Sequence, residues 1–140
     1  MSIASGKADQ SPGSNVRTKA WTTADAARIS AGQEVQVSAR RADGSPAAAR
    51  TIWIVDTGGR LFVRSTNGRT AAWFRSAIAS GLGVIHAGGR SFDVTFTEAA
   101  DSDLAAVGAA YRRKYGRYAS IVDHLEEPGP RSATLELHPV

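Results

Sequence analysis

The sequence predicts an α+β protein, mainly β, built as a small six-stranded antiparallel barrel with flanking helices. Residues 51–55 and 61–65 are rich in β-branched and aromatic side chains and flank an Asp-Thr-Gly-Gly turn, which indicates a hairpin. A second hairpin is indicated by residues 83–87 and 90–97, which flank Gly88-Gly89. A parallel sheet would need a crossover helix after each strand, and the sequence lacks these helices.

The first elements are a short helix and a strand. Thr22 is placed to cap a helix over about 22–30, and Asp25 follows it at capping-box spacing. Gly32 is expected to end this helix. Residues 34–38 alternate apolar and polar side chains, which predicts a half-buried strand.

Two more helices and a closing strand complete the predicted fold. Apolar side chains recur at helical spacing over 70–79 and over 102–115. Residues 119–125 are predicted to form a helical turn and 126–130 a loop. The alternation over 133–138 predicts the last strand.

Composition indicates one domain over 20–140, preceded by a polar stretch, 1–19, that we expect to be a disordered leader. The stretch lacks the apolar core of a signal peptide, and no run is apolar enough to span a bilayer. With no cysteine, the sequence has no disulfide or thiolate chemistry, and we expect a cytoplasmic protein. The net charge is +4, but the arginines are scattered, so neither a nucleic acid nor a membrane is an expected partner.

An anion site is predicted where the first hairpin meets the following helix. Asn67-Gly68 permits a tight turn, and a helix starting near Thr70 would present its free N–H groups there. Arg64, Arg69 and Arg75 would add guanidinium groups, which suit phosphate or carboxylate.

Four aromatic residues are candidates for contact with a ligand. Trp53 and Trp73 can stack on a planar ring, or they belong to the core or to a dimer interface. Tyr111 and Tyr118 can offer hydroxyl donors to a substrate, although Tyr111 also fits the buried face of its helix.

No catalytic residue stands out. His86, His124 and His138 lack metal-ligand spacing, so no metal site is expected, and no nucleophile motif is present. Three classes of function therefore remain open. They are a cofactor-dependent enzyme, a cofactor-independent isomerase or cyclase, and a protein that binds a small ligand without reaction.

The order of motifs resembles the flavin-binding split barrel of pyridoxamine-phosphate-oxidase-like proteins and deazaflavin-dependent nitroreductases. More closely, it is similar to a bacterial family of split-barrel-like proteins of unknown function. The resemblance covers about 21–138 and rests on the motifs at 40–44, 51–54, 61–65, 67–68, 71–74, 87–90 and 115–118. It implies a six-stranded split β-barrel.

The resemblance also implies a cofactor, flavin mononucleotide (FMN) or a deazaflavin, and an oxidoreductase that acts on a small organic substrate. Positions that match the cofactor path are Arg40, Arg41, Gly44, Arg50, Ser65, Asn67, Gly68, Ala72 and Trp73. We expect Arg64, Asn67 and Gly68 to hold phosphate, with Arg50, Ser65 and Arg75 nearby, and Trp53 or Trp73 to contact the ring.

A homodimer is expected from the central hairpin, which is apolar on both faces. One barrel interior covers only one of these faces. A second subunit is predicted to cover the other, with the helix near Trp21 or the closing strand as the alternative cover. Proteins with the resembling fold commonly dimerise along this region.

Overall fold

The structure, a computed structural model, describes residues 19–140, so the predicted leader lies outside the described residues except for Lys19. The described part contains seven strands and five α-helices. The strands are β1 (Val35–Ala39), β2 (Arg50–Ile52), β3 (Ile54–Thr57), β4 (Arg60–Arg64), β5 (Leu82–Ala87), β6 (Arg90–Glu98) and β7 (Thr134–Pro139). The helices are α1 (Thr23–Ala31), α2 (Ala72–Ser80), α3 (Leu104–Tyr115), α4 (Ala119–Leu125) and α5 (Pro128–Ser132), with 3-10 turns at Gly68–Thr70 and Asp101–Asp103.

All seven strands belong to one antiparallel sheet in the order β2-β1-β5-β6-β7-β4-β3. The two edge strands, β2 and β3, are consecutive in the chain and are separated only by Trp53. The sheet therefore curls into a nearly closed barrel with flanking helices, which confirms the predicted fold class.

The structure has one strand more than the six predicted, because the strand predicted over 51–55 is divided in two at Trp53. Before the break, Ile52 pairs with Val35 of β1, and after it, Ile54 pairs with Val63 of β4. The chain thus leaves one edge of the sheet and joins the other, which makes Trp53 the point where the barrel is split.

Two tyrosines of α3 bind the backbone groups beside this split. The Tyr111 hydroxyl accepts a hydrogen bond from the Arg64 N–H at 2.9 Å and donates to the Trp53 carbonyl at 3.0 Å. The Tyr115 hydroxyl accepts from the Ile54 N–H at 3.3 Å. Side chains therefore replace ladder hydrogen bonds where strand pairing stops, so these buried polar groups have partners.

The central hairpin contributes to two apolar cores. Ile54 and Val63 point into the barrel, where α1 and α2 also pack. Val55 and Phe62 point outward into a second core formed with α3 and α4. Helices α3 and α4 thus cover the outer face, for which the sequence predicts a second subunit, the helix near Trp21 or the closing strand as the cover.

The first three helices lie within two residues of their predicted bounds, and α5 forms where a loop is predicted. Helix α2 begins at Ala72, after the 3-10 turn, and ends at Ser80 before Gly81, whose φ is +69°. The predicted loop 126–130 contains the start of α5, where Pro128 occupies the first turn, a position at which its missing N–H has no cost. Between residues 19 and 140, no helix is long and apolar enough to cross a bilayer.

Candidate functional site

A cavity of about 680 Å³ lies beside the split in the barrel. Its walls are β2 with Trp53, the end of β4 and the loop after it, the start of α2, and parts of α3 and α4. The lining residues are 50–53, 64–67, 71–73, Glu34, Tyr111, Ser120, Ile121, His124 and Leu125. The segment between the first hairpin and α2 therefore does border a cavity.

Ser65 gives this cavity a polar group that lacks a partner. The residue is 0% exposed, and among residues 19–140 its hydroxyl has no hydrogen-bond partner. Its main-chain N–H is satisfied by the Ala133 carbonyl at 3.1 Å. Buried hydroxyl groups without a partner are uncommon and destabilise the fold, so the Ser65 Oγ is a candidate contact for a ligand.

The start of α2 lines the cavity together with Ser65. Ala71 occupies the N-cap position, and no side chain caps the helix. The first N–H groups of a helix have no intrahelical acceptor, and the helix dipole places partial positive charge there. A phosphate or carboxylate group fits a site that combines these N–H groups with a serine hydroxyl.

Arg64 is buried, and its guanidinium group binds protein acceptors. Nε donates to Thr134 Oγ1 at 2.9 Å, and Nη2 donates to the Leu104 carbonyl at 2.9 Å. Nη1 lies 3.3 Å from both the Leu125 carbonyl and Glu126 Oε1. Burial lowers the pKa of this arginine. Arg64 thus joins β4 to β7, α3 and α4 behind the cavity wall.

The other arginines of the predicted anion site occupy different positions. Arg69 pairs with Glu98 at 2.8 Å and does not line the cavity. Arg75 is exposed on α2, also outside the lining. Arg50 is exposed and lines the cavity, so its guanidinium is the more accessible of the two arginines there.

The candidate aromatic residues also divide into those that line the cavity and those that do not. Trp53 stacks on Tyr115 with ring centroids 4.0 Å apart and an interplanar angle of 1°, so one face of this indole is covered. Trp73 is half-buried and lines the cavity. Tyr118 does not line the cavity. Its ring centroid lies 5.4 Å from that of Trp53, and its hydroxyl accepts a hydrogen bond from the Gln33 side chain.

Burial raises the pKa of both Tyr111 and Tyr115, in the second case to about 12. Both phenols are therefore neutral near pH 7. The Tyr111 hydroxyl already accepts from the Arg64 N–H and donates to the Trp53 carbonyl. Although Tyr111 lines the cavity, its hydroxyl is already hydrogen-bonded to backbone groups on both sides of the barrel split.

The structure brings together seven of the ten candidate residues. The cavity lining includes Arg50, Trp53, Arg64, Ser65, Asn67, Trp73 and Tyr111. Gly68, Arg75 and Tyr118 lie outside it, as do Arg40, Arg41 and Gly44, whose two arginine side chains donate to carbonyl groups of their own turn.

Sequence reasoning missed the contribution of α4 to the cavity. Ile121 and Leu125 follow each other at helical spacing, which signals one helix face but not what the face covers. His124 carries no signal of its own in the sequence. Within residues 19–140, no group of three or more potential metal ligands is present.

Solved structures with similar folds include proteins that bind quite different ligands. An F420-H2-dependent reductase is 14% identical with a TM-score of 0.59, covering 76% of this chain and 94% of its own. HutZ, a heme storage protein from Vibrio cholerae, is 17% identical with a TM-score of 0.60, covering 77% and 82%. A putative pyridoxamine 5'-phosphate oxidase from Listeria innocua is 12% identical with a TM-score of 0.52, covering 81% and 87%. At such identities, these similarities show the split-barrel fold alone.

No curated protein matches the chain in sequence. The profile of a bacterial family, described as "Uncharacterized protein conserved in bacteria (DUF2255)", matches residues 25–137. That range includes the cavity-lining segments, the barrel split and all five helices except the first two residues of α1. The chain therefore belongs to the DUF2255 family of bacterial split-barrel proteins.

Proposed function

We propose that the chain binds an anionic, ring-bearing cofactor, FMN or a deazaflavin, and acts as an oxidoreductase on a small organic substrate. The observation that carries this proposal is the buried, unpartnered hydroxyl of Ser65, a residue that lines the same cavity as the uncapped start of α2. When bound, such a cofactor supplies hydride transfer, and the chain supplies binding, orientation and exclusion of water.

Within this proposal, the anionic group contacts Ser65 and the first N–H groups of α2. Asn67 and the exposed Arg50 line the same cavity and add polar and charged contacts. Arg64 acts indirectly, since its guanidinium group holds the wall behind the site. Trp73 contacts the ring system, because one face of Trp53 is already covered by Tyr115.

Two similarities in fold support this choice of ligand. The F420-H2-dependent reductase and the putative pyridoxamine 5'-phosphate oxidase share the split barrel with this chain. The heme storage protein shares it too, so the cofactor has to be identified by binding measurements. A cytoplasmic location remains part of the proposal.

The test is a titration of the protein with FMN and with a deazaflavin, followed by calorimetry and by tryptophan fluorescence. Ser65→Ala is expected to weaken binding of the preferred cofactor about ten- to 150-fold, the effect of one lost hydrogen bond to a charged group. The same change should leave the stability of the free protein equal or higher, because it removes a buried hydroxyl without a partner. Ser76→Ala, in α2 but outside the cavity lining, is the matched control for binding and should leave the affinity for the cofactor unchanged.

Dissociation constants weaker than about 1 mM for both cofactors, worth only about 4 kcal/mol, would contradict the proposal. That result would favour a cofactor-independent isomerase or cyclase, or a binding protein that uses the same cavity. A parallel titration with hemin tests the remaining fold-based alternative, and tighter binding of hemin than of either flavin would replace the proposed cofactor.

A homodimer is the second part of the proposal. Helices α3 and α4 already cover the outer face of the central hairpin, so support for the dimer now comes from another surface. Ile121, at 44% exposed, lines the cavity, and Ile78 and Leu82 are also exposed. A second subunit that packs on Ile121 would complete the wall of the cavity.

A further inference from the structure

His124 of α4 lines the cavity and has a hydrogen-bond acceptor at each ring nitrogen. Nε2 lies 2.8 Å from the Thr66 carbonyl oxygen, and Nδ1 lies 3.2 Å from Glu127 Oε1. Carbonyl and ionised carboxylate oxygens only accept hydrogen bonds. A neutral imidazole carries one N–H and can satisfy one of these acceptors, whereas an imidazolium donates to both.

Thr66 lies between Ser65 and Asn67, so this contact holds the segment that borders the proposed anion site. The rest of the segment is fixed by other elements. Ser65 N–H donates to the Ala133 carbonyl just before β7, and a Cβ on Gly68 would lie 3.4 Å from the backbone of Gly129 in α5. His124 is the contact from α4, and its protonation adds a second donor, at Nδ1, which fixes the ring to Glu127 while Nε2 holds Thr66.

We infer that His124 is a positioning residue whose protonation tightens the hold on Thr66 and strengthens anion binding at Ser65 and the start of α2. The inference rests on the proposed function, because it assigns a control of affinity to that site. Two effects act in the same direction. The imidazolium satisfies both acceptors, and it adds positive charge to the cavity lining.

The charged groups around His124 leave Glu127 as its direct electrostatic partner. Glu126 pairs with Arg64 at 3.3 Å and with Arg131 of α5 at 3.6 Å. On the side of α3, Arg112 pairs with Asp123 at 2.9 Å. These neighbours have partners of opposite charge, so the Glu127 carboxylate is the charged group that directly faces the His124 ring.

The first test measures binding of inorganic sulfate between about pH 5 and 8, the range in which histidine side chains titrate. Sulfate keeps its charge over this range, so any change in affinity belongs to the protein. We expect the wild-type affinity to fall about two- to fivefold as the pH rises, the size typical of an exposed, screened charge. His124→Gln keeps one N–H donor for Thr66 but does not titrate, so it should bind sulfate with a flat pH profile.

His86→Gln is the matched control. His86 is an exposed histidine that pairs with Ser91 away from this cavity, so its replacement should leave the wild-type profile unchanged. An equally pH-dependent affinity in His124→Gln would overturn the inference. So would a flat profile in the wild-type protein.

The second test needs no ligand. The amide resonances of residues 65–68, followed by NMR, should shift with the same midpoint as the His124 ring in the wild-type protein. They should not titrate in His124→Gln. The inference would be overturned if the amide resonances of residues 65–68 did not shift with the His124 midpoint. Coupled amides without sulfate binding at any pH would support the positioning role and contradict the anion site of the proposed function.

Discussion

Gly108 of α3 lies directly against the carboxylate of Glu126. A Cβ at position 108 would be 2.5 Å from Glu126 Oε1 and would meet the carboxylate before any other group. The missing side chain lets Glu126 lie against the helix and reach Arg64 at 3.3 Å. Glycine lowers helix stability at interior positions, so its presence here is explained by this close approach.

Gly108→Ala is expected to have opposite effects in two backgrounds. In the wild-type protein, the new methyl group displaces Glu126 from Arg64, and the free energy of unfolding should fall by about 0.5–2 kcal/mol. In the Glu126→Ala background, the carboxylate that the methyl group would meet is absent, so the higher helix propensity of alanine should raise the free energy of unfolding by about 0.5–1 kcal/mol. Urea unfolding of the four proteins measures both values. The same sign in both backgrounds would show that Glu126 is not the contact that matters.

Arg64→Ala should act on the fold before it acts on any ligand. The change leaves two main-chain carbonyls and Thr134 without their donor in a buried place, so we expect a loss of about 2–4 kcal/mol in the free energy of unfolding. Arg112→Ala is the control, because its pair with Asp123 is solvent-exposed and should contribute less than about 1 kcal/mol. Equal stability of Arg64→Ala and the wild-type protein would contradict this structural role and favour direct contact of Arg64 with the anion.

Tyr115 predicts a loss of stability at alkaline pH. Burial raises the pKa of its phenol to about 12 in the folded protein. The phenol of the unfolded chain ionises near its ordinary pKa of about 10, so the unfolded state loses its proton first. The stabilisation is complete below about pH 10 and is lost as the pH rises to about 12.

Unfolding of Tyr115→Phe by urea between these pH values should therefore show a shallower decline than the wild-type protein. Its stability near pH 7 should also be lower, because the Gln33 carbonyl, 2.6 Å from the hydroxyl, loses its donor. Tyr118→Phe should keep the wild-type slope, since its exposed hydroxyl only accepts a bond from the Gln33 side chain. Identical slopes for Tyr115→Phe and wild type would assign the alkaline transition to other groups.

Light scattering tests the proposed dimer. We expect twice the 14.7 kDa of one chain at micromolar concentration, shifted toward the monomer in Ile121→Glu because a charge would be buried in the interface. Val140→Glu is the control, since this exposed C-terminal residue is outside the cavity lining. A wild-type monomer would reject the dimer and leave Ile121 as part of an open cavity rim.

Elements set by neighbouring residues could be predicted from the sequence. Thr22 caps α1 by accepting from the Asp25 N–H at 3.1 Å, as the capping-box spacing indicates. Strand β6, Arg90–Glu98, matches the alternation predicted over 90–97. In both cases the sequence signal lies within a few consecutive residues.

The break at Trp53 and the burial of Arg64 could not be predicted, because distant residues decide them. The β-branched run across Trp53 predicts a continuous strand. In the structure strand pairing stops at Trp53, and the hydroxyl of Tyr111, 58 residues later, donates a hydrogen bond to the Trp53 carbonyl. Arg64 looks like an anion ligand until its acceptors, 40 to 70 residues away, are seen. Family resemblance predicts Ser65 as a site residue, but only the structure shows that its hydroxyl has no partner.

The position of Trp53 between the two sheet edges also has a consequence for the order of folding. Segment 50–57 pairs with β1 through its first half and with β4 through its second, so the barrel closes only when both halves of the sheet exist. The Tyr111 hydrogen bonds that hold this closure join residues 47 and 58 positions apart, so they are entropically costly to form and are expected after the transition state. Tyr111→Phe, which weakens the closure alone, should therefore speed unfolding in stopped-flow measurements and leave the refolding rate nearly unchanged.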